Sequence, residues 1–239
     1  MIAMAVCLAF SSVASAATLF FDFGDSGQTT VSPPAANVYN NIIVNPPGVL
    51  SIADTVNSTG ANTGISINVS GFFNGSNQSG PTSPSGNAGA IFDGQATRDN
   101  AFGHAGTFGT NPLTPQATIA LSGLDGSGLT TYDFTFFGSR QGATDNRETK
   151  YDVTGANNGF ALLNTTANVS EVVSVTGITP TAGGNITLLV SPGPNNNNSS
   201  LFYYLGAMRI VSTTIPEPAT FGLFALAGIA CVVSRRACR

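Results

Sequence analysis

The sequence predicts an all-β body, an antiparallel two-sheet β-sandwich of the jelly-roll kind, and three observations carry that expectation. First, Gly, Asn, Ser and Thr dominate residues 18–214, lysine occurs once (Lys150), and tryptophan is absent from all 239 residues. Long helices draw on Ala, Leu, Glu, Lys and Arg, whereas Val, Ile, Thr, Tyr and Phe favour a pleated, half-buried surface. Second, apolar residues recur at every other position in several short segments, the period that puts alternate side chains on one face of a strand. Third, Gly, Asn and Pro separate these segments at short intervals, as turns require.

In chain order, Met1 to Phe10 is almost wholly apolar and leads into Val13-Ala14-Ser15-Ala16-Ala17. Ala14 and Ala16 supply the small residues that a signal peptidase needs, so residues 1–17 are expected to be an export signal, although its usual basic start is missing. Strands are expected over Leu19 to Phe23, Tyr39 to Val44, Ile65 to Val69 and Ala117 to Leu121. The clearest alternation follows in Thr131 to Phe137, where Tyr132, Phe134 and Phe136 share one face while Asp133 and Thr135 share the other. Further strands are expected over Thr149 to Val153, Val169 to Val175, Asn185 to Val190 (Ile186, Leu188 and Val190 inward) and Leu201 to Val211. Gly75 to Asn87 and Ser191 to Ser200 are too polar and too rich in Pro and Gly for strands, and read as exposed loops. The body spans 18–214, and its length alone allows one large domain or two small ones.

Past Ile215 the composition changes. Pro216-Glu217-Pro218 cannot sit inside a helix, because each proline lacks an N–H and restricts its predecessor, so the triplet is a stiff extended hinge. Ala219 to Val233 then runs for fifteen residues without a charge, and Ser234-Arg235-Arg236-Ala237-Cys238-Arg239 closes the chain. An apolar stretch ending in arginines is expected to be a C-terminal hydrophobic helix whose basic end fits the cytoplasmic side of a membrane. At about 1.5 Å rise per residue it is shorter than the roughly 20 residues of a full span, which favours a thin or temporary anchor. An ordinary tail anchor is the plainer alternative.

The order of triplet, apolar segment 219–233 and basic end resembles the PEP-CTERM sorting signal, carried here by Pro216, Glu217, Pro218, Arg235 and Arg236. The resemblance implies an inner-membrane precursor, held transiently and processed by an exosortase, so residues 215–239 are expected to be a sorting segment. Cys7, Cys231 and Cys238 all lie in the two targeting segments, which leaves the body without a disulfide or a cysteine nucleophile.

The body resembles a β-sandwich module of PEP-CTERM proteins related to galactose-binding-like domains. The matching residues are Phe21-Asp22-Phe23-Gly24, Tyr39-Asn40-Asn41-Ile42, Ala96 to Phe102, Tyr132 to Arg140, Thr149 to Gly155, Asn168-Val169-Ser170, Gly184-Asn185-Ile186 and Tyr204 to Ile210. These motifs are structural, and the resemblance implies a fold rather than an activity.

Three constellations offer chemistry. Gly24-Asp25-Ser26 matches the Gly-Asp-Ser turn of GDSL-type esterases, yet a serine nucleophile needs a His held by a carboxylate. His104 is the single histidine, and no Asp stands three residues before it. The plainer reading is a turn in which Gly24 permits a sharp bend. Calcium needs only oxygen ligands, and Asp22, Asp25 and Asp125 are the candidates for a structural ion; solvated turn aspartates are the plainer reading. Arg98, Asp99, Asn100 and His104 fall in a Gly-rich stretch read as a loop, and Arg140 and Arg147 bracket another. Planar side chains of this type pair with sugar hydroxyls beside an aromatic platform, for which Phe102 and Phe108 are candidates. Local pairing with Asp99, Asp145 or Glu148 is the competing role for the arginines.

Between residues 18 and 214 five basic residues face eleven acidic ones, a balance that repels phosphate backbones and excludes a nucleic-acid partner. The expected protein is an exported, exosortase-sorted component of the cell surface or extracellular matrix. It is expected to be non-catalytic, with extracellular polysaccharide as candidate partner and no cofactor beyond the calcium considered above. Two alternatives stay open: a secreted GDSL-like serine esterase using Ser26, and a purely structural matrix or adhesion component.

Overall fold

The computed structural model describes residues 17–45 and 48–214. The hydrophobic helix expected over 219–233, the sorting segment and all but the last residue of the export signal lie outside the described residues. The chain forms β1 (Thr18–Gly24), β2 (Tyr39–Ile43), β3 (Ser51–Ile52), β4 (Ser66–Ser70) and β5 (Ser76–Asn77). Two short helices follow, α1 (Gly86–Ile91) and α2 (Gly94–Thr97), then β6 (Asn100–His104), β7 (Ala117–Ser122), β8 (Thr130–Phe137) and β9 (Glu148–Thr154). The last strands are β10 (Asn158–Asn164), β11 (Val173–Ile178), β12 (Ile186–Pro192), β13 (Phe202–Leu205) and β14 (Ala207–Thr214).

These strands build an all-β sandwich from a five-stranded sheet, β11-β8-β14-β1-β2, and a six-stranded sheet, β10-β9-β12-β7-β4-β3. Leu19, Phe21, Phe23, Tyr132, Phe134, Phe136 and Met208 of the first meet Ile67, Ile119, Leu121, Tyr151, Val153 and Leu188 of the second in one core. The ring of Phe136 on β8 stacks on Tyr151 of β9 at 4.5 Å and 5°, a contact that crosses between the sheets. Each such side chain contributes about 1.5–3 kcal/mol by leaving water. The pairing is antiparallel except for β1 and β2, which run parallel. A parallel pair needs a crossover of roughly a dozen residues or more, and residues 25–38 provide it.

The outer face of β8 is covered as well. Phe137 joins Phe20, Tyr39 and Ala207 in a second apolar cluster that Ala88, Phe92 and Ala96 of the helical segment close. Asp93 caps α2 by accepting the N–H of Gln95 at 2.9 Å, which fixes the entry of that segment. Thr135, expected on an outward face, is 3% exposed and shares a hydrogen bond with Ser174 at 3.1 Å.

Several boundaries differ from expectation for identifiable reasons. The segment expected as one strand over Leu201 to Val211 is split at Gly206 into β13 and β14, which enter different sheets. A Cβ at Gly206 would lie 2.7 Å from Asn100 Oδ1, so this junction has no room for a side chain. The strand expected from Val169 begins only at Val173, because Asn168 Oδ1 accepts the N–H groups of Ser170 and Glu171 and folds that stretch into a turn. The stretch read as a Gly-rich loop becomes, from Asn100 to His104, the strand β6.

Candidate functional site

A third, small sheet, β13-β6-β5, carries the site. Its register pairs Phe202 with His104, Tyr203 with Gly103, Tyr204 with Phe102 and Leu205 with Ala101. Alternation then sorts the side chains: Tyr203, Leu205 and Ala101 enter the sandwich core, leaving Phe102, His104, Phe202 and Tyr204 together on the opposite face. Gly103 is required here, since a Cβ would sit 2.1 Å from the Tyr203 hydroxyl. Phe108 packs on this face 5.0 Å from Phe202 and 5.3 Å from His104, and Phe73 lies 5.1 Å from Phe102.

The aromatic face floors a cleft of about 290 Å³ lined by Phe102, Phe108, Phe202 and Tyr204. Arg140, from the turn after β8, and Arg147, immediately before β9, form its charged side; Ser76 and Asn77 of β5 complete the lining. Arg147 is held on three sides. Its Nε donates to Asp145 at 2.8 Å, its Nη1 donates to the Tyr204 hydroxyl at 2.6 Å, and its Cζ lies 5.3 Å from the Phe202 ring centre. Burial opposes the Arg147 charge, but Asp145 and Tyr204 outweigh it and raise the guanidinium above its ordinary value. Burial raises the Tyr204 phenol too, so it stays protonated against the pull of Arg147. Among the described residues lining the cleft there is no carboxylate. Neutral rings, amides and two cations suit a ligand with an apolar face and an acceptor-rich edge. A second cavity, of about 280 Å³ between Val44, Leu50, Val69 and Phe72, has no charged lining residue.

Of the residues expected to meet a sugar, Arg140 lines the cleft, and so do both candidate platforms, Phe102 and Phe108. The others are in the framework. Arg98 donates to the carbonyls of Gln28 and Thr29, both at 3.2 Å, instead of forming an ion pair with Asp99. Asp99 is fully buried and accepts the N–H of Asp25 at 2.7 Å. Asn100, also fully buried, exchanges bonds of 2.9 Å with the backbone of Ser139. His104 is 0% exposed, with Nδ1 2.9 Å from the Gly106 carbonyl. Phe202, Tyr204, Ser76 and Asn77 were not foreseen as lining residues.

The three calcium candidates do not share a site. Asp125 sits in the β7–β8 turn, where it accepts from Thr130 at 2.6 Å and Ser127 at 2.9 Å. Asp22 pairs through Ala207 with Phe137, seven residues along β8 from Thr130, and a strand rise of ~3.3 Å per residue makes that about 23 Å. Among the described residues, no group of three or more His, Cys, Asp or Glu side chains is placed to hold a metal ion. Ser26 is exposed in the turn after β1, whereas His104 is enclosed by Phe73, Phe108 and Phe202. Gly24 is there for a reason other than a bend: a Cβ on it would lie 1.8 Å from Asp99 Oδ2.

With the fold and cleft in place, comparison with known proteins adds the destination. Residues 214–237 match the PEP-CTERM protein-sorting motif. The motif makes this an exported, exosortase-sorted protein with a membrane-anchored precursor. No helix among the described residues is long and apolar enough to cross a membrane. Among solved structures the chain is similar to TmCBM61 in complex with beta-1,4-galactotriose, at 13% identity over 50% of this chain and 72% of that one, TM-score 0.24. It is similar to CBM35 from Cellvibrio japonicus Abf62 at 17% identity, over 42% and 69% of the two chains, TM-score 0.25. An exo-beta-1,3-galactanase from Phanerochaete chrysosporium, solved with galactose, matches at 16% identity over 66% of this chain and 32% of its own, TM-score 0.26. At these scores the likeness bears on neither ligand nor activity. No curated protein matches the chain.

Proposed function

We propose that this is a non-catalytic surface protein whose sandwich body binds a saccharide in the aromatic cleft. The single observation behind the reading is the cleft itself: four aromatic rings and two guanidinium groups around about 290 Å³. A pyranose ring offers apolar C–H faces that lie against aromatic rings, and hydroxyls that pair with planar donors such as Arg and Asn. Tyr204 keeps its proton, and the charged Arg147 that donates to its hydroxyl oxygen holds it in place as a donor on one side of a stacked sugar. A serine-esterase reading has no comparable support, because the exposed Ser26 and the enclosed His104 occupy different surroundings. The reading is tested by screening the detergent-solubilised full chain against an array of neutral and acidic glycans. Binding that Phe108→Ala and Phe202→Ala both reduce at least tenfold is expected; no binding to any glycan would refute it and leave a purely structural matrix component.

A further inference from the structure

We propose that the cleft selects saccharides bearing a carboxylate, a hexuronate residue, and that Arg140 is the group that recognises it. This rests on the glycan-binding reading above and adds the substrate class. The argument begins with where the body places its few cations. Lys150 is paired with Asp152 at 2.6 Å, and Arg147 with Asp145 at 2.8 Å. Arg98 is spent on two backbone carbonyls at 3.2 Å, and Arg209 donates to Thr135 at 3.3 Å from between β1 and β8. Arg140 has neither an ion pair nor a short hydrogen bond among the described residues; its Nη1 reaches the Gln141 carbonyl at only 3.5 Å. Its backbone is nonetheless fixed, with its N–H donated to Thr165 at 2.8 Å and its carbonyl accepting from Ala167 at 3.0 Å. A half-buried guanidinium on a fixed backbone, with only that long contact among the described residues, is available to a ligand in the cleft.

The chemistry narrows from there. A guanidinium presents two parallel N–H groups that match the two oxygens of a carboxylate, a stronger pairing than any it makes with a sugar hydroxyl. Arg147 stands on the same cleft but is already engaged, since Asp145 and Tyr204 occupy its Nε and Nη1. Asp145 offsets the charge of Arg147 from behind the cleft, and among the described lining residues no carboxylate faces Arg140. The body as a whole, residues 18–214, carries an acidic excess, five basic against eleven acidic residues, so a dense polyanion is repelled at distance. A ring with one planar charge and an apolar face satisfies both conditions, stacking on Phe102, Phe108 or Phe202 while its carboxylate meets Arg140.

The test compares a neutral oligosaccharide ending in a single galacturonate with its methyl ester, which keeps the ring and removes the charge, using calorimetry on the detergent-solubilised full chain. The acid form is expected to bind at least tenfold more tightly than the ester, with the difference shrinking as salt rises. Arg140→Gln should abolish that preference, weakening the acid form at least tenfold more than the ester, and an unchanged melting temperature identifies the loss as one of recognition. Equal binding of acid and ester overturns the proposal while the glycan-binding reading stands. A preference that survives Arg140→Gln overturns the role of Arg140, and failure of every glycan on the array overturns both readings.

Discussion

Asp22 and Asp99 are the most deeply buried carboxyl groups of the described residues, at 3% and 0% exposure, and their titration sets how stability responds to pH. Burial pushes each up to about 7, and the charge of Asp22 adds to the effect on Asp99; Arg98 pulls the other way without prevailing. Asp22 Oδ2 accepts from the N–H and hydroxyl of Thr30, both at 2.8 Å, and Asp99 Oδ2 accepts from the N–H of Asp25. The second oxygen of each has no partner among the described residues. Unfolded, both groups titrate near ~3.9, so between that value and about 7 the folded state holds protons that the unfolded state has released. Their contribution is complete below about pH 4 and is lost as pH rises through about 7. An interval of about three pH units, at ~1.4 kcal/mol each, makes about 4 kcal/mol per carboxyl, of which about 2–3 kcal/mol falls between pH 5 and pH 8. Asp25, Asp125 and Asp145 act oppositely. Hydrogen bonds from Gly27, Thr130 and Arg147 respectively hold them below the ordinary range, so their contribution is present above about pH 4 and lost on acidification. Stability is therefore expected to peak at about pH 4–5. Asp99→Asn keeps an acceptor for the Asp25 N–H but cannot ionise, and urea unfolding at pH 5 and pH 8 measures the consequence. The variant should lose roughly half of what the wild type loses between those two conditions. An equal loss in both proteins would show that Asp99 is not the titrating group.

Phe134→Ala should cost about 3–5 kcal/mol in urea unfolding, because that ring is fully buried, while Thr135→Ala should cost about 1 kcal/mol through its bond to Ser174. Ser26→Ala should leave the melting temperature unchanged, whereas His104→Ala should lower it by opening a void among Phe73, Phe108 and Phe202; the reverse order would place His104 outside the aromatic face. Pro216→Ala with Pro218→Ala should leave uncleaved precursor in the membrane fraction, and mass spectrometry showing normal processing in that variant would contradict the assigned motif.

The sandwich was legible where alternation is strong. In β8, Tyr132, Phe134 and Phe136 all face the core as their spacing requires. β6 was hidden because Asn100-Ala101-Phe102-Gly103-His104 contains no β-branched residue and has a glycine inside it, at Gly103. That glycine exists to admit the ring of Tyr203, a hundred positions away in the chain, and no local pattern reports such a contact. The cleft was half legible for the same reason. Phe102, Phe108, Arg140 and Arg147 stood out as residue types, but Phe202 and Tyr204 join them only through the pairing of β13 with β6. Asp99, Asn100 and His104 share the polar character of binding residues, and only burial reveals them as framework.

The position of the cleft relative to the sorting motif leads to the last prediction. β14 begins at Ala207, directly after Gly206 and the aromatic strand β13, and ends at Thr214, where the matched motif starts. Its partner β8 runs the other way, from Thr130 beside Thr214 to Phe137 beside Ala207, and Arg140 follows within one turn. Along this pair the cleft residues cluster at one end and the chain departs toward its anchor at the other, separated by seven residue steps or about 23 Å of strand. The expectation is that a membrane holding the anchor leaves the cleft open. Anchored precursor, reconstituted in nanodiscs, should bind a cleft ligand with the same affinity as protein released by cleavage after residue 214. A tenfold weaker affinity in the anchored form would show that the bilayer covers the cleft, and would overturn this orientation without touching the fold.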